Sequence, residues 1–196
     1  MTAGIEWALK EWAIAVDTLL SGDLILLIRK GGIRESKPYF EVPSDRALLF
    51  PTYEHQSVAA IRLPYQARFV PQPVPTIGAP VKLAGWAQIT HQLPIGNLSA
   101  VKALHPFHIW TDAWFAERLA WKPERPAYGL LLRVYRFAEP LVLSYETRYG
   151  GCRSWIAMDT AEYSFPASTA VLSDAAYQER TEAIQQAIAA FATPQA

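Results

Sequence analysis

Residues 24–35 read Leu-Ile-Leu-Leu-Ile-Arg-Lys-Gly-Gly-Ile-Arg-Glu. The aliphatic run Leu24 to Ile28 is long enough for a strand and leaves neither face polar, so it reads as a strand buried on both sides. It stops at Arg29-Lys30-Gly31-Gly32, where two glycines permit a left-handed or close-approach backbone. A buried strand delivering cations to a glycine turn implies a substantial core with a polar cluster at its margin. The chain can supply that core: of its 196 residues, 51% are hydrophobic and only 18% charged, too few charges for a disordered chain.

Outward from this strand, residues 5–22 satisfy two periodicities. Leu9, Trp12, Val16 and Leu20 recur at helical spacing, while Trp12, Ile14 and Val16 alternate as in a strand. We read a helix closing at Ser21-Gly22, with a short strand leading into a helical turn as the alternative. Tyr39 to Val42 and Ala47 to Phe50 read as strands in hairpin-like, antiparallel spacing. Five prolines between Pro64 and Pro80 mark an internal crossover. Val81 to Gln92 is a strand, Asn97 and Thr111 cap short helices, Gly129 to Phe137 is a further strand, and Leu141 to Leu143 extends the sheet. Ser154 to Met158 adds a short strand, and Ser173-Asp174 opens a C-terminal helix. Strands and helices mix without regular βαβ alternation. The expectation is α+β: a mixed, mainly antiparallel sheet or a small barrel with flanking helices, residues 1–196 forming one domain.

Eighteen basic and eighteen acidic residues cancel, which disfavours a purely charge-driven nucleic-acid binder and is compatible with homo-oligomers. Cys152 is the only cysteine, so neither an internal disulfide nor a cysteine zinc site can form. There is no signal-like start and no membrane-length apolar run, so the expected location is the cytoplasm.

Three polar clusters are candidates for function. The first is Arg29-Lys30-Gly31-Gly32-Ile33-Arg34-Glu35, where glycine N–H groups flanked by cations suit an anion. The spacing is not that of a P-loop. The second is Thr52-Tyr53-Glu54-His55-Gln56, following a strand end. The third is Gly151-Cys152-Arg153-Ser154-Trp155. Here Cys152 reads as a small buried cysteine after a glycine turn, and Arg153 as an anion or backbone clamp. His105 and His108 flank Pro106, which argues against a helical metal pair. No cofactor is expected. Asp23 before the strand and Glu35-Ser36-Lys37 after it would resemble the Mg²⁺ site of restriction-endonuclease-like nucleases.

Taken together, Lys10-Glu11-Trp12, residues 27–35, residues 49–56 and residues 151–155 resemble the bacterial family known as domain of unknown function 1802, over roughly Leu9 to Met158. The resemblance implies no activity. It points to Arg29, Lys30, Gly31, Gly32, Glu35, Tyr53, Glu54, His55, Gln56, Arg153 and Trp155. Leu19-Leu20-Ser21-Gly22-Asp23 leading into a strand and an arginine is similar to the ASCH branch of PUA-like domains. That likeness implies a small mixed barrel, in a class where many members bind RNA, modified bases or nucleotides. The expected function is therefore binding of a phosphate-bearing ligand, RNA or a nucleotide. Arg29, Lys30, Arg34 and Arg153 would hold phosphate, and Tyr53 or Trp155 would stack on a base. Removing Arg29 and Lys30 would then weaken binding without lowering the melting temperature. The alternatives are a metal-dependent phosphodiesterase using Asp23, Glu35, Glu54 and His55, and a protein-interaction scaffold.

Overall fold

The computed structural model describes residues 4–30, 41–160 and 163–191. In chain order the elements are β1 (Trp7–Trp12), α1 (Ala13–Leu20), β2 (Leu26–Lys30), β3 (Arg46–Thr52), α2 (Leu63–Gln66), β4 (Pro80–Ile95), α3 (Leu98–Ala103), α4 (Asp112–Ala120), β5 (Ala127–Ser144), β6 (Trp155–Ala157), β7 (Ser168–Ala170) and α5 (Asp174–Ala189). The strands form one sheet in the order β2-β5-β4-β3-β1-β6, with β7 paired to β5. Every pairing is antiparallel except β1 with β3. The architecture is α+β, and the sheet does not close into a barrel.

The helix expected over residues 5–22 is instead β1 followed by α1. The helical spacing of Leu9 and Trp12 is a coincidence of the strand period, because β1 is sunk between β3 and β6 and buries residues on both faces. Helix α1 does end at Ser21-Gly22, with Gly22 at φ +78°. That left-handed conformation favours glycine, and a Cβ there would meet Val171 at 2.8 Å.

Strand β3 shows why continuous apolar runs mark this sheet. Ala47 and Leu49 face a large core shared with α1, α4 and α5, while Leu48 and Phe50 face a second core with Leu83, Tyr149 and Ile156. A period of two with both faces covered leaves no polar position. The antiparallel partner of β3 is β4, and its other neighbour is the parallel β1. Glu41 and Val42 lie outside any strand, so the expected hairpin partner is not found among the described residues.

Asn97, Thr111 and Ser173 each accept a backbone N–H at the start of a helix, as their side chains predict. Strands β4 and β5 form one long ribbon with irregularities between Leu83 and Gly85 and between Ile89 and His91. Such bulges bend and twist a strand pair. The consequence reaches across the molecule. Arg29 on edge strand β2 touches Glu11 on β1 and Ser154 just before the opposite edge strand β6. The sheet curls until its two edges meet through side chains rather than through backbone hydrogen bonds.

Candidate functional site: a cationic, tryptophan-lined cavity

A cavity of about 800 Å³ opens where the two edges approach. That volume falls in the range of small-ligand sites, roughly 300–1,000 Å³. Its walls come from five places: Lys10–Trp12 at the end of β1, Arg29 and Lys30 at the end of β2, residues 52–60 after β3, one face of α4, and residues 151–154.

The wall is locked by two ion pairs. Lys10, although 5% exposed, donates to Glu54 Oε2 (3.0 Å), Tyr149 O (2.9 Å) and Gly151 O (3.0 Å). Its three ammonium protons are thereby used, which is what a buried lysine requires. Burial works to raise the Glu54 pKa, but the Lys10 ammonium and the Gly151 N–H outweigh it and hold the carboxyl below its ordinary value. Arg29 completes the second lock through Glu11 and Ser154 Oγ, and Glu11 Oε1 also accepts from Trp12 N (2.8 Å). Lys30 donates to Leu119 O near the end of α4 (2.9 Å), a favourable place for a cation.

The opposite wall is built by helical spacing. Ala113, Trp114, Glu117, Arg118 and Trp121 fall on one face of α4 and its exit. Trp110 stacks on Trp114 (centroids 4.3 Å apart, planes 10° apart), and the Arg118 guanidinium lies 3.9 Å over the Trp114 ring. Trp12 meets Trp110 edge-on at 4.9 Å. The start of α4 is pinned to the 57–62 turn, since Arg62 N donates to Ile109 O and Thr111 N to Ala60 O.

Of the residues named from the sequence, the structure brings Arg29, Lys30, Glu54, His55 and Arg153 to this one cavity. His55 adopts φ +58°, uncommon outside glycine, asparagine and histidine. Tyr53, Gln56 and Trp155 do not line it; Tyr53 is half-buried and Trp155 packs against the larger core. Gly31, Gly32, Arg34 and Glu35 lie outside the described residues. Cys152 is exposed on the cavity rim, not buried as expected, because the 150–153 loop carries it outward.

Asp23 does not join the site. It accepts from Ser21 Oγ and pairs with Arg68, which also holds Asp17, and no cluster able to hold a metal occurs among the described residues. Of the residues invoked for metal-dependent chemistry, Glu54 and His55 line the cavity, Asp23 does not, and Glu35 lies outside the described residues.

Sequence reasoning passed over the residues of α4. Their signal was present as Trp114-x3-Arg118, an i, i+4 pair that puts an indole and a guanidinium in one column of α4, while Trp110 joins them from the bridge residue before the helix. Lys10-Glu11, adjacent charges inside an apolar strand, was the second unread signal.

Fold and site together define an α+β domain with a cation-rich, indole-lined cavity at the open edge of a curled sheet. The chain belongs to the family described as Domain of unknown function (DUF1802), whose model matches residues 8–183. No curated protein matches it. Among solved structures it is similar to the protein titled ASCH from Zymomonas mobilis: 13% identity, TM-score 0.39, covering 90% of this chain and 93% of that one. A serine-to-alanine mutant of ZmASCH from the same organism gives 11% identity and TM-score 0.41, covering 90% and 94%. A tyrosine-to-phenylalanine mutant gives 11% and 0.41, covering 91% and 98%. Among the described residues no helix is long and apolar enough to cross a membrane.

Proposed function

We propose that this domain binds a phosphate-bearing nucleotide unit, free or within RNA, in the cavity between β1, β2 and α4. The observation that carries the reading is that Trp114, stacked on the buried Trp110 and carrying the Arg118 guanidinium over its ring, lines a cavity of nucleotide scale together with Arg118 and Arg153. Guanidinium planes and aromatic rings are the groups on which unstacked bases rest, and arginine forks match phosphate oxygens. Trp121, 39% exposed at the cavity, offers a further indole face, with Lys122 Nζ 4.5 Å from its ring centre.

Two roles divide the cations. Arg29 and Lys10 hold the wall through Glu11 and Glu54. Arg118 and Arg153 are exposed and contact the ligand. The test is a titration of the full chain with mononucleotides and short single-stranded RNA, read by tryptophan fluorescence. Binding that weakens at least roughly tenfold in Arg118→Ala/Arg153→Ala, the weight of one charge-assisted hydrogen bond, with the melting temperature unchanged, supports the reading. Absence of binding by the wild-type chain at millimolar probe ends it.

A further inference from the structure

Resting on that nucleotide reading, we propose that the cavity selects a terminal phosphomonoester over an internal phosphodiester, and that Arg118 and Arg153 make the selection. The argument is one of charge left over after pairing. Lys10 is matched by Glu54 and Arg29 by Glu11. The remaining charged lining consists of Lys30, Arg118 and Arg153 against Glu117, a surplus of two positive charges among the described residues when His55 is neutral. Lys30 donates to a neutral carbonyl, Leu119 O, and feels the Glu124 carboxylate, which partly compensates it from outside the lining. Arg118 has the Trp114 ring; burial and the like charge of Arg29 lower its pKa, and the Glu11 carboxylate works the other way. Arg153, exposed at the cavity, forms no side-chain ion pair among the described residues.

A diester carries one negative charge, whereas a monoester carries about −1.5 to −2 near neutral pH. The surplus therefore matches the monoester, and a diester would leave a cation uncompensated beside Arg29. Geometry favours the same choice. Arg118 lies 3.9 Å over an indole that is itself stacked on another, so its fork loses less freedom on closing around phosphate oxygens than an unsupported side chain would.

The experiment compares probes that share a base and differ in phosphate. Full-length protein is titrated with adenosine, adenosine 5′-monophosphate, adenosine 3′-monophosphate and the dinucleoside monophosphate ApA. A short oligoribonucleotide follows, with and without a 5′-phosphate. The expected result is monoester binding at least roughly tenfold tighter than ApA. That preference should fade as pH falls from about 7.5 to about 5.5, through the second phosphate ionisation. Arg118→Ala/Arg153→Ala should bind adenosine 5′-monophosphate and ApA alike, at an unchanged melting temperature. The phosphorylated oligomer then tells an RNA end from a free nucleotide: tighter binding of the oligomer assigns the RNA end, and equal or weaker binding assigns the mononucleotide. Equal binding of ApA and monophosphate by the wild-type chain, or a preference that survives the double substitution, overturns the selection while leaving nucleotide binding standing. Failure of every probe overturns both.

Discussion

Lys10→Met is the substitution that tests most directly how the cavity wall is held. The methionine keeps the stem volume and removes only the ammonium. The loss is large because that ammonium serves three acceptors from two distant parts of the chain: Glu54 after β3, and the carbonyls of Tyr149 and Gly151. Breaking a buried ion pair from one side costs about 3–5 kcal/mol, since the partner is left uncompensated. Glu54 keeps the Gly151 N–H and its side chain is 19% exposed, so the lower end, about 3 kcal/mol, applies. For a chain of this length that is a fall in melting temperature of about 6–12 °C. Urea unfolding of Lys10→Met, Glu54→Gln and the double variant supplies the check. Removing both partners should recover part of the loss, giving a coupling energy of about 1.5 kcal/mol or more. A Lys10→Met protein melting within about 1 °C of the parent, or a strictly additive double variant, would refute this account of the wall.

The two classes of arginine should separate by thermal melting: Arg29→Met leaves Glu11 buried and unpaired and should cost about 3 kcal/mol, whereas the exposed Arg153→Ala should stay within about 0.5 kcal/mol. Joint removal of Arg29 and Lys30, expected from the sequence to spare stability, is therefore expected to lower it. His108, 1% exposed, accepts from Trp110 N at Nδ1 and faces Val101 O through Nε2, and burial lowers its pKa to about 4. Below the ordinary value of 6.5 the unfolded chain takes up a proton that the folded chain refuses. Stability should therefore fall by about 3 kcal/mol as pH drops from that value to about 4, and denaturant melts of His108→Gln should be flatter over this window. A slope unchanged by the substitution would show that His108 is not the group responsible. Glu54, whose folded pKa is depressed, adds its own loss only below its ordinary value of 4.5.

The elements that could be read from sequence are those whose local chemistry agrees with their tertiary setting. Asn97, Thr111 and Ser173 start helices because their own side chains satisfy orphan N–H groups. Ala47 to Phe50 reads as a strand because both its faces meet hydrophobic cores. Where tertiary setting decides, the sequence is mute. Strand β1 carries Lys10 and Glu11 at buried positions, and nothing local says that Glu54 and Arg29 wait there to pair them. Strand β5 runs from Ala127 to Ser144 through Pro140, where a break seemed natural; Pro140 is exposed and falls where the register with β4 skips from Leu141 to Arg136. Strand β7, three residues on the margin of β5, offers no periodicity to find. The site divides in the same way. Arg29, Lys30 and Arg153 were visible in polar clusters, whereas Trp114 and Arg118 sit on a helix whose face could be chosen only once α4 was placed against β1 and β2.

An open, curled sheet has a difficulty at its seam that a closed barrel avoids: edge strands β2 and β6 meet without a hydrogen-bonded ladder. The chain meets it with Arg29 reaching Glu11 and Ser154, and with Lys10 reaching the loop ahead of β6. Closing a seam with long charged side chains, rather than with backbone, necessarily leaves a gap as wide as those side chains, and the cavity occupies that gap. The ion pairs and the cavity are then two consequences of one arrangement. An apolar replacement of both pairs should preserve folding, as buried pairs replaced together often do, and yet shrink the cavity. Nucleotide binding by a well-folded Lys10→Met/Glu54→Leu/Glu11→Leu/Arg29→Met protein at parental strength would show that the cavity does not depend on its locks.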